Sequence, residues 1–578
     1  MFGQDLPTSD FEIIVVVDGS TDGTAQALRE LKPPCTLRVI EQLNGGPSAA
    51  RNSGIRVARG DLLLFIDDDI VCSPGLFRWH VEAHADVRAA VVYGPISMAP
   101  EAPPSVLKYA NATWFQDYYG RVEAQHGLNL PKDDYLISNS SIPRAELVEC
   151  GGFDETMKAK EDYELGLRLW KKGLQFKYLP QAKAYEFFQK PIQYVLRRDG
   201  KAFGETDVLL TRKHLEYRPY ATLAALGKMA WWKRQARRIL TALPFSPDGV
   251  LNPALWICDK FCRYSVMRTL SRHLLGFGRG LVVYPAAARK IGSWQALENE
   301  FGRRLPVLLY HHVGPERPGT IRGLTVSPKR FERHVRWLAL RGFKGICPAD
   351  WLRWRQDGKS LPAKPILFTF DDGYADLAEY ALPVLRRHGF GAAVYIVTGQ
   401  LGGTNAWDAA RSCAPFPLMA TEQIRYWASQ GFEFGAHSRT HADLRTLSAQ
   451  ELSEEVLGSG KDLEAILGSW PVSFAHPYGF HNQAVDDCVR GAFDLAFIAD
   501  DGKEGLNYLD TDPHQLLRTM VQSDDSQLAM EFRSRWGHYP FYNLLARIRV
   551  RFALRTRLKR LLRRNGISSE QCAGKSGE

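Results

Sequence analysis

The tightest constraint in this 578-residue chain is a short apolar run, Ile366 to Phe370, that ends in Asp371-Asp372-Gly373. A run of that length followed by turn chemistry reads as a buried strand, and the glycine lets the backbone reverse sharply. Two carboxylates at the end of a buried strand are costly to desolvate unless something binds them. His437 lies downstream, and His441 follows it in His-Ser-Arg-Thr-His. The four-residue spacing predicts two imidazoles on one side of a single helical turn, where they and a carboxylate make a His-His-Asp metal set.

The flanking sequence predicts alternating strands and helices. Pro306 to Val313 reads as a buried strand ending in His311 and His312, and Ser327-Pro328 reads as the N-cap and first position of a helix. Further alternation (Ala375 to His388, Ala392 to Val397, Thr421 to Gln430, Glu433 to Gly435) implies a parallel barrel or sheet with its site at the strand ends. The N-terminal part shows the same rhythm. A strand from Phe11 to Val17 runs into Asp18-Gly-Ser-Thr-Asp-Gly-Thr24, as at the entry to an α/β nucleotide-binding fold. A strand over Thr36 to Glu41, a helix over Ala49 to Ala58 and a strand over Asp61 to Ile66 follow, ending in Asp67-Asp68-Asp69. Carboxylates so placed repel one another, and a divalent cation carrying a diphosphate would relieve the repulsion.

On these marks, with Gly46-Pro-Ser-Ala-Ala-Arg-Asn-Ser-Gly54, Gly151-Gly-Phe-Asp-Glu155 and Glu161-Asp162, residues 11 to about 205 resemble the family 2 glycosyltransferases of the GT-A fold. The resemblance implies that Asp18 holds the nucleotide base, that Asp67 and Asp69 hold Mg or Mn and the donor diphosphate, and that Asp162 deprotonates the acceptor hydroxyl. Glu186 stands near where that family often has a metal-proximal histidine. Family members begin with one further strand, so the first strand is expected to be missing here. A Gln-x-x-Arg-Trp motif is absent, which favours transfer of a single sugar.

Residues 305 to 525 resemble the polysaccharide deacetylases of carbohydrate esterase family 4, which have a distorted (β/α) barrel. The carriers are Thr369-Phe-Asp-Asp-Gly-Tyr374, His437-Ser-Arg-Thr-His441 and Phe474-Ala-His-Pro-Tyr-Gly479. The resemblance implies Asp371 as general base and Asp372, His437 and His441 as ligands of a divalent metal. Zinc is favoured by that set, and cobalt, nickel or iron would also fit. The backbone near Tyr478 is expected to stabilise the oxyanion. Ala475 stands where an arginine is usual, and Arg518 is the expected substitute. His481, His514, His311 and His312 are the candidates to protonate the leaving amine.

The expected regions are a transferase-like domain over 1–205, a helical basic linker over 206–304, a deacetylase-like domain over 305–525 and a basic tail over 526–578. A hydrophobic share of 45% and a charged share of 24% are those of a globular protein. Nine scattered cysteines, with neither a membrane-spanning run nor a leader, predict a cytoplasmic protein. The net charge of +10 suits anionic partners such as sugar nucleotides or lipid head groups without singling out nucleic acid, which is not expected as a partner. Two basic segments suit peripheral contact with an anionic membrane: Trp231 to Arg238, for which a linker helix with its tryptophans packed between domains is the favoured reading, and Arg547 to Arg564, for which a solvated or nucleic-acid-attracting tail is the alternative. Ser568 to Glu578 is expected to be disordered. The combined reading is a bifunctional enzyme that transfers an N-acetylhexosamine, with a UDP sugar the expected donor, to a glycan or lipid-linked glycan and hydrolyses an N-acetyl group. The alternative is a deacetylase whose N-terminal half only binds glycan.

Overall fold

In the N-terminal half, β1 (Glu12–Asp18) pairs in parallel with β2 (Thr36–Gln42), and Val15 sits opposite Val39. The helix Pro47–Val57 packs on β1, with Gly54 facing Val16. A separate four-stranded sheet has the order β3 (Leu62–Phe65), β7 (Ser140–Pro143), β5 (Ala90–Tyr93), β8 (Gln175–Tyr178). In it β7 is antiparallel to both neighbours, and β5 and β8 are parallel. The third sheet is β4 (Ile70–Cys72), β9 (Ala184–Glu186), β6 (Ile96–Met98). Among the described residues β1 and β3 each keep one unpaired edge, and Val15, Val16 and Leu62–Phe65 are only half-buried despite being apolar.

This computed structural model describes residues 3–538 apart from 86, 88, 189, 243–247, 316–322, 412–414 and 500–504. The basic run Arg547 to Arg564 and the end segment Ser568 to Glu578 lie outside the described residues. Two units result, Met1–Gly302 and Arg303–Glu578. The helical segment read from sequence as a linker is part of the first unit. Its long helix Ser265–Ile291 lies along the helix Gly200–Lys213. Gly200 and Gly204 make that approach close: a Cβ on Gly204 would stand 2.3 Å from the Val283 carbonyl oxygen.

The second unit is a closed barrel of seven parallel strands. They are β10 (Leu305–Tyr310), β11 (Pro365–Phe370), β12 (Ala392–Ile396), β13 (Glu433–Ala436), β14 (Ser473–Ala475), β15 (Leu495–Ala499) and β16 (Leu516–Met520). Each pairs in parallel with the next, and β16 returns to β10, which also pairs with β11. Strands with both faces covered read as continuous apolar runs, and β10, β11 and β12 are buried at every position. Alternation still sorts the side chains. Ile366, Phe368 and Phe370 join Phe331, Val335 and Leu382 in the shell between barrel and helices. Residues of the other parity point inward: Tyr395 meets Ser473 at 3.0 Å, and Arg518 lies 5.8 Å from the Tyr395 ring centroid.

Crowding inside the barrel explains Gly435. A Cβ there would lie 2.4 Å from the Tyr395 ring and 2.6 Å from the Ser473 carbonyl oxygen, which is backbone and cannot swing away. Gly435→Ala is expected to destabilise the second unit by about 1–3 kcal/mol, read as a lower urea midpoint with an unchanged slope.

Two candidate active sites

In the second unit the site forms where strands end. After β11 the chain delivers Asp371, whose N–H donates to the Tyr310 carbonyl at 3.1 Å, and then reverses through Asp372 and Gly373 with φ of 69° and 70°. His437 follows β13 directly and donates from Nδ1 to the Ala475 carbonyl at 2.7 Å, which leaves Nε2 to face the carboxylates. Asp372 Oδ1 lies 3.2 Å from His441 Nε2 and 3.5 Å from His437 Nε2, yet it is buried without a hydrogen-bond partner. The three ligand atoms fall within 4.8 Å of one another. Two imidazole nitrogens and a carboxylate oxygen converging in this way, with the oxygen otherwise orphaned, fit a divalent metal of the zinc kind.

The expected helical turn for His437 and His441 does not form. Residues 437–443 are a loop, and Ser438 and His441 have φ of 59° and 62°. Spacing by four suggested one helix face, but left-handed residues bring the two rings together instead, their centroids 5.0 Å apart. Tyr478 is also left-handed, at φ 58°. Four strained non-glycine residues on one rim each cost about 1–3 kcal/mol, and such strain persists where surrounding structure over-determines it.

Asp371 takes a different partner. Arg518 on β16 grips it through two bonds of 2.6 and 2.9 Å, both groups being buried. Burial pushes the Asp371 carboxyl up, but Arg518 and then His437 pull it below its ordinary value, so it is ionised at neutral pH. Burial likewise works against Asp372, and the imidazoles of His437 and His441 hold it well below the ordinary range. His311 is lowered by burial and is influenced by both carboxylates. The other candidate histidines are tied down: His312 to Asp376 at 3.0 Å and stacked 3.5 Å over Tyr374, His481 to Asp486 at 3.1 Å, and His514 to the Phe493 carbonyl at 2.7 Å.

Sequence reading missed two neighbours. Trp407 stacks on His441 at 4.8 Å, and His476 is buried with neither ring nitrogen bonded and pushed down to about 3 by burial and then by His481. His476 carried a signal, since it sits inside the motif read for Tyr478; Trp407 carried none.

In the first unit the carboxylates are distributed differently. Asp18 accepts from Gln42 (2.8 Å), Gly45 N (2.8 Å) and Gly46 N (2.7 Å), and so anchors the turn before the helix Pro47–Val57. Arg51 of that helix bonds Asp67 at 2.8 Å and Glu161 at 2.6 Å, and Ser138 donates to the second Asp67 oxygen. Asp69 is raised by burial and then by Asp67, and Glu186, brought alongside by β4–β9 pairing, is pushed up to about 7 by burial and then by Asp69. Mutual repulsion favours a cation there, but the oxygens are not gathered: among the described residues Asp372, His437 and His441 are the one such ligand group. Asp162, in the first turn of Glu161–Lys171, accepts from Tyr163 N at 2.8 Å and is pushed up to about 7 by burial and then by Glu161.

Arg518→Met would leave Asp371 charged and buried without its partner. The expected cost is about 3–5 kcal/mol, measured by urea unfolding at neutral pH.

Residues 2–131 match the family model described as glycosyl transferase family 2, and residues 358–492 match polysaccharide deacetylase. YxkH of Bacillus subtilis, whose name provisionally describes a polysaccharide deacetylase, is 26% identical over 32% of this chain and 61% of its own length. The validoxylamine A glucosyltransferase of Streptomyces hygroscopicus subsp. jinggangensis is 32% identical over 30% of this chain and 46% of its own. The structure of IcaB from Ammonifex degensii aligns with 41% of this chain and 97% of its own at 23% identity, with a TM-score of 0.34. The chain thus spans 61% and 46% of the two relatives' lengths. It carries a glycosyl transferase family 2 domain on its N-terminal side and a polysaccharide deacetylase domain on its C-terminal side.

Proposed function

We propose that this chain acts twice on one glycan, transferring an N-acetylhexosamine from a nucleotide sugar and removing an N-acetyl group by hydrolysis. The observation that carries the reading is the pairing at the barrel mouth: an orphaned Asp372 oxygen facing two imidazoles, beside an ionised Asp371 locked by Arg518. UDP is the expected carrier, and the acceptor is a glycan, free or lipid-linked. The same reading places the protein in the cytoplasm with peripheral attachment through its basic segments.

In the deacetylase half, Asp372, His437 and His441 would hold the metal, whose Lewis acidity serves the amide carbonyl and the attacking water. Asp371 takes the proton of that water, because it is ionised and its orientation is fixed by two bonds from Arg518. The backbone at Tyr478, held at φ 58°, supplies a donor for the developing oxyanion. His311, which burial keeps neutral at rest and whose surroundings include both Asp371 and Asp372, is the group we assign to hand the departing amine the proton that Asp371 takes from the water. In the transferase half, Asp162 takes the acceptor proton, while Asp67 and Asp69 with Mg or Mn would hold the donor diphosphate. A base near 7 is matched to its task at neutral pH.

A second reading, in which only the deacetylase works, is favoured by one observation: Asp18 and Asp67 already spend their acceptors on protein donors. Mass spectrometry of reactions with UDP-N-acetylhexosamines and glycan acceptors separates the two. Added hexosamine supports the first reading; acetate release without any transfer supports the second.

Asp371→Asn is expected to lower acetate release by about 10²- to 10⁴-fold, and chelation should abolish it with recovery on adding zinc. His311→Gln should reduce it more than His481→Gln; the reverse order overturns the assignment of the acid. Asp162→Asn should remove transfer while leaving acetate release intact. Because Asp162 must be ionised to act, transfer should climb with pH and level off above about 7, checked by initial rates across that range.

A further inference from the structure

The helix Asp248–Lys260 and the turn after it have two apolar faces where a surface helix needs one. Leu255, Cys258 and Cys262 are buried, and the two cysteines cluster with Val106 of the helix Val106–Ala124. On the opposite side the apolar Pro253, Trp256, Ile257 and Phe261 recur at i, i+3, i+4 and i+8, and all four are exposed. The stripe continues across the turn: Tyr264 is 68% exposed, and Val266 and Leu270 lie on the outer face of Ser265–Ile291, with Val266 at 70%. A helix with apolar residues on two opposite faces is at home only between two apolar surroundings. The fold supplies one, and among the described residues nothing covers the other.

The charge around the stripe says what does. Between Lys228 and Lys290 the chain has twelve Lys and Arg against two Asp, and one of those, Asp259, is spent accepting from the Val106 N–H at 2.8 Å. Lys260, Arg263 and Arg272 are exposed alongside the apolar stripe, and the Lys260 ammonium sits 5.7 Å from the Trp256 ring. Trp and Tyr beside Lys and Arg around an apolar strip is the chemistry of a helix lying in the head-group region of an anionic bilayer. No described helix is long and apolar enough to cross a membrane, so contact of this kind is along the surface. Trp231, Trp232 and Ile239 on the nearby helix Trp231–Ala242 are exposed as well, and Arg237 of the same helix turns inward, 5.0 Å from the Tyr284 ring.

We infer that the corner formed by Trp256 to Leu270 is a docking surface for an anionic phospholipid bilayer, with the apolar stripe entering the head-group layer and the flanking cations facing lipid phosphates. It extends the peripheral attachment proposed above to a surface that the sequence reading did not single out. It does not depend on either catalytic assignment.

The test is flotation of the full-length protein with phosphatidylcholine vesicles, with and without phosphatidylglycerol. The protein should rise with the anionic vesicles and stay behind with the neutral ones. The combined variant Trp256→Ser, Phe261→Ser, Val266→Ser should bind about tenfold or more weakly, and Lys260→Glu with Arg263→Glu should remove the response to phosphatidylglycerol. All five side chains are exposed, so circular dichroism and thermal midpoint should match the parent. If the combination proves unstable, Phe261→Ser alone should still weaken binding measurably. Absence of flotation with anionic vesicles overturns the inference. So does undiminished flotation of the serine variant, or a dimer in sedimentation equilibrium that the serine variant dissolves without any vesicle binding. Because flotation is read without turnover, failure of the catalytic reading leaves this result standing, and the reverse.

Discussion

A buried guanidinium gripping a buried carboxylate organises the deacetylase half. Desolvating either ion alone would cost several kcal/mol, and only good geometry with further hydrogen bonds offsets it. Arg518 and Asp371 meet the geometric part of that demand through two bonds in a fork, while Arg518 Nε stays buried without a partner. The consequence reaches past the pair itself. With Arg518 committed to Asp371, the neighbouring Asp372 is left to the two imidazoles, and adjacent side chains of one type acquire different tasks. Asp371 keeps an ionised, oriented carboxylate, whereas Asp372 keeps an oxygen with no protein donor. The barrel makes the division possible by bringing β16, late in the chain, next to β10 and so within reach of the end of β11.

Backbone strain supports the same arrangement. Asp372, Ser438, His441 and Tyr478 all sit in the left-handed region. The first unit shows the same habit at its own site, where Asn139 and Lys160 are left-handed beside Ser138 and Glu161. Such residues mark places where chain direction is dictated by something other than local preference. In the barrel that something is the convergence of three ring and carboxylate atoms. It is held by the His437 bond to the Ala475 carbonyl and by stacking of Trp407 on His441.

Much of this was legible in the sequence, for identifiable reasons. Buried parallel strands announce themselves as continuous apolar runs, so β1, β11 and β12 were placed within a residue or so, whereas β10 was read three residues too far, through His311 to Val313. Arg518 was reachable only through the family resemblance, which pointed to a later arginine at Leu516-Leu-Arg-Thr in place of the one replaced by Ala475. What failed was local geometry that depends on φ. A spacing of four between histidines carries no information about left-handed turns, so a loop was read as a helix. Helix packing through Gly200 and Gly204 was equally hidden, because glycine spacing shows that backbones can approach but not which ones do. Trp407 was invisible because stacking on His441 follows from tertiary placement alone.

The two sites differ in how ready they are. In the barrel, donor atoms point at a common centre and one is unsatisfied, so a ligand completes what the protein leaves open. In the first unit the protein completes itself: Arg51 spans Asp67 and Glu161, Ser138 takes the remaining Asp67 oxygen, and Asp18 is absorbed by the turn at Gly45 and Gly46. What is left unrelieved there is charge, because Asp69 and Glu186 are both raised by burial and by repulsion between neighbouring carboxylates. A nucleotide diphosphate with its cation would relieve that repulsion, but only after competing with Arg51 for Asp67. Arg51 is held on its other side by Glu161, so the cluster is braced from both ends.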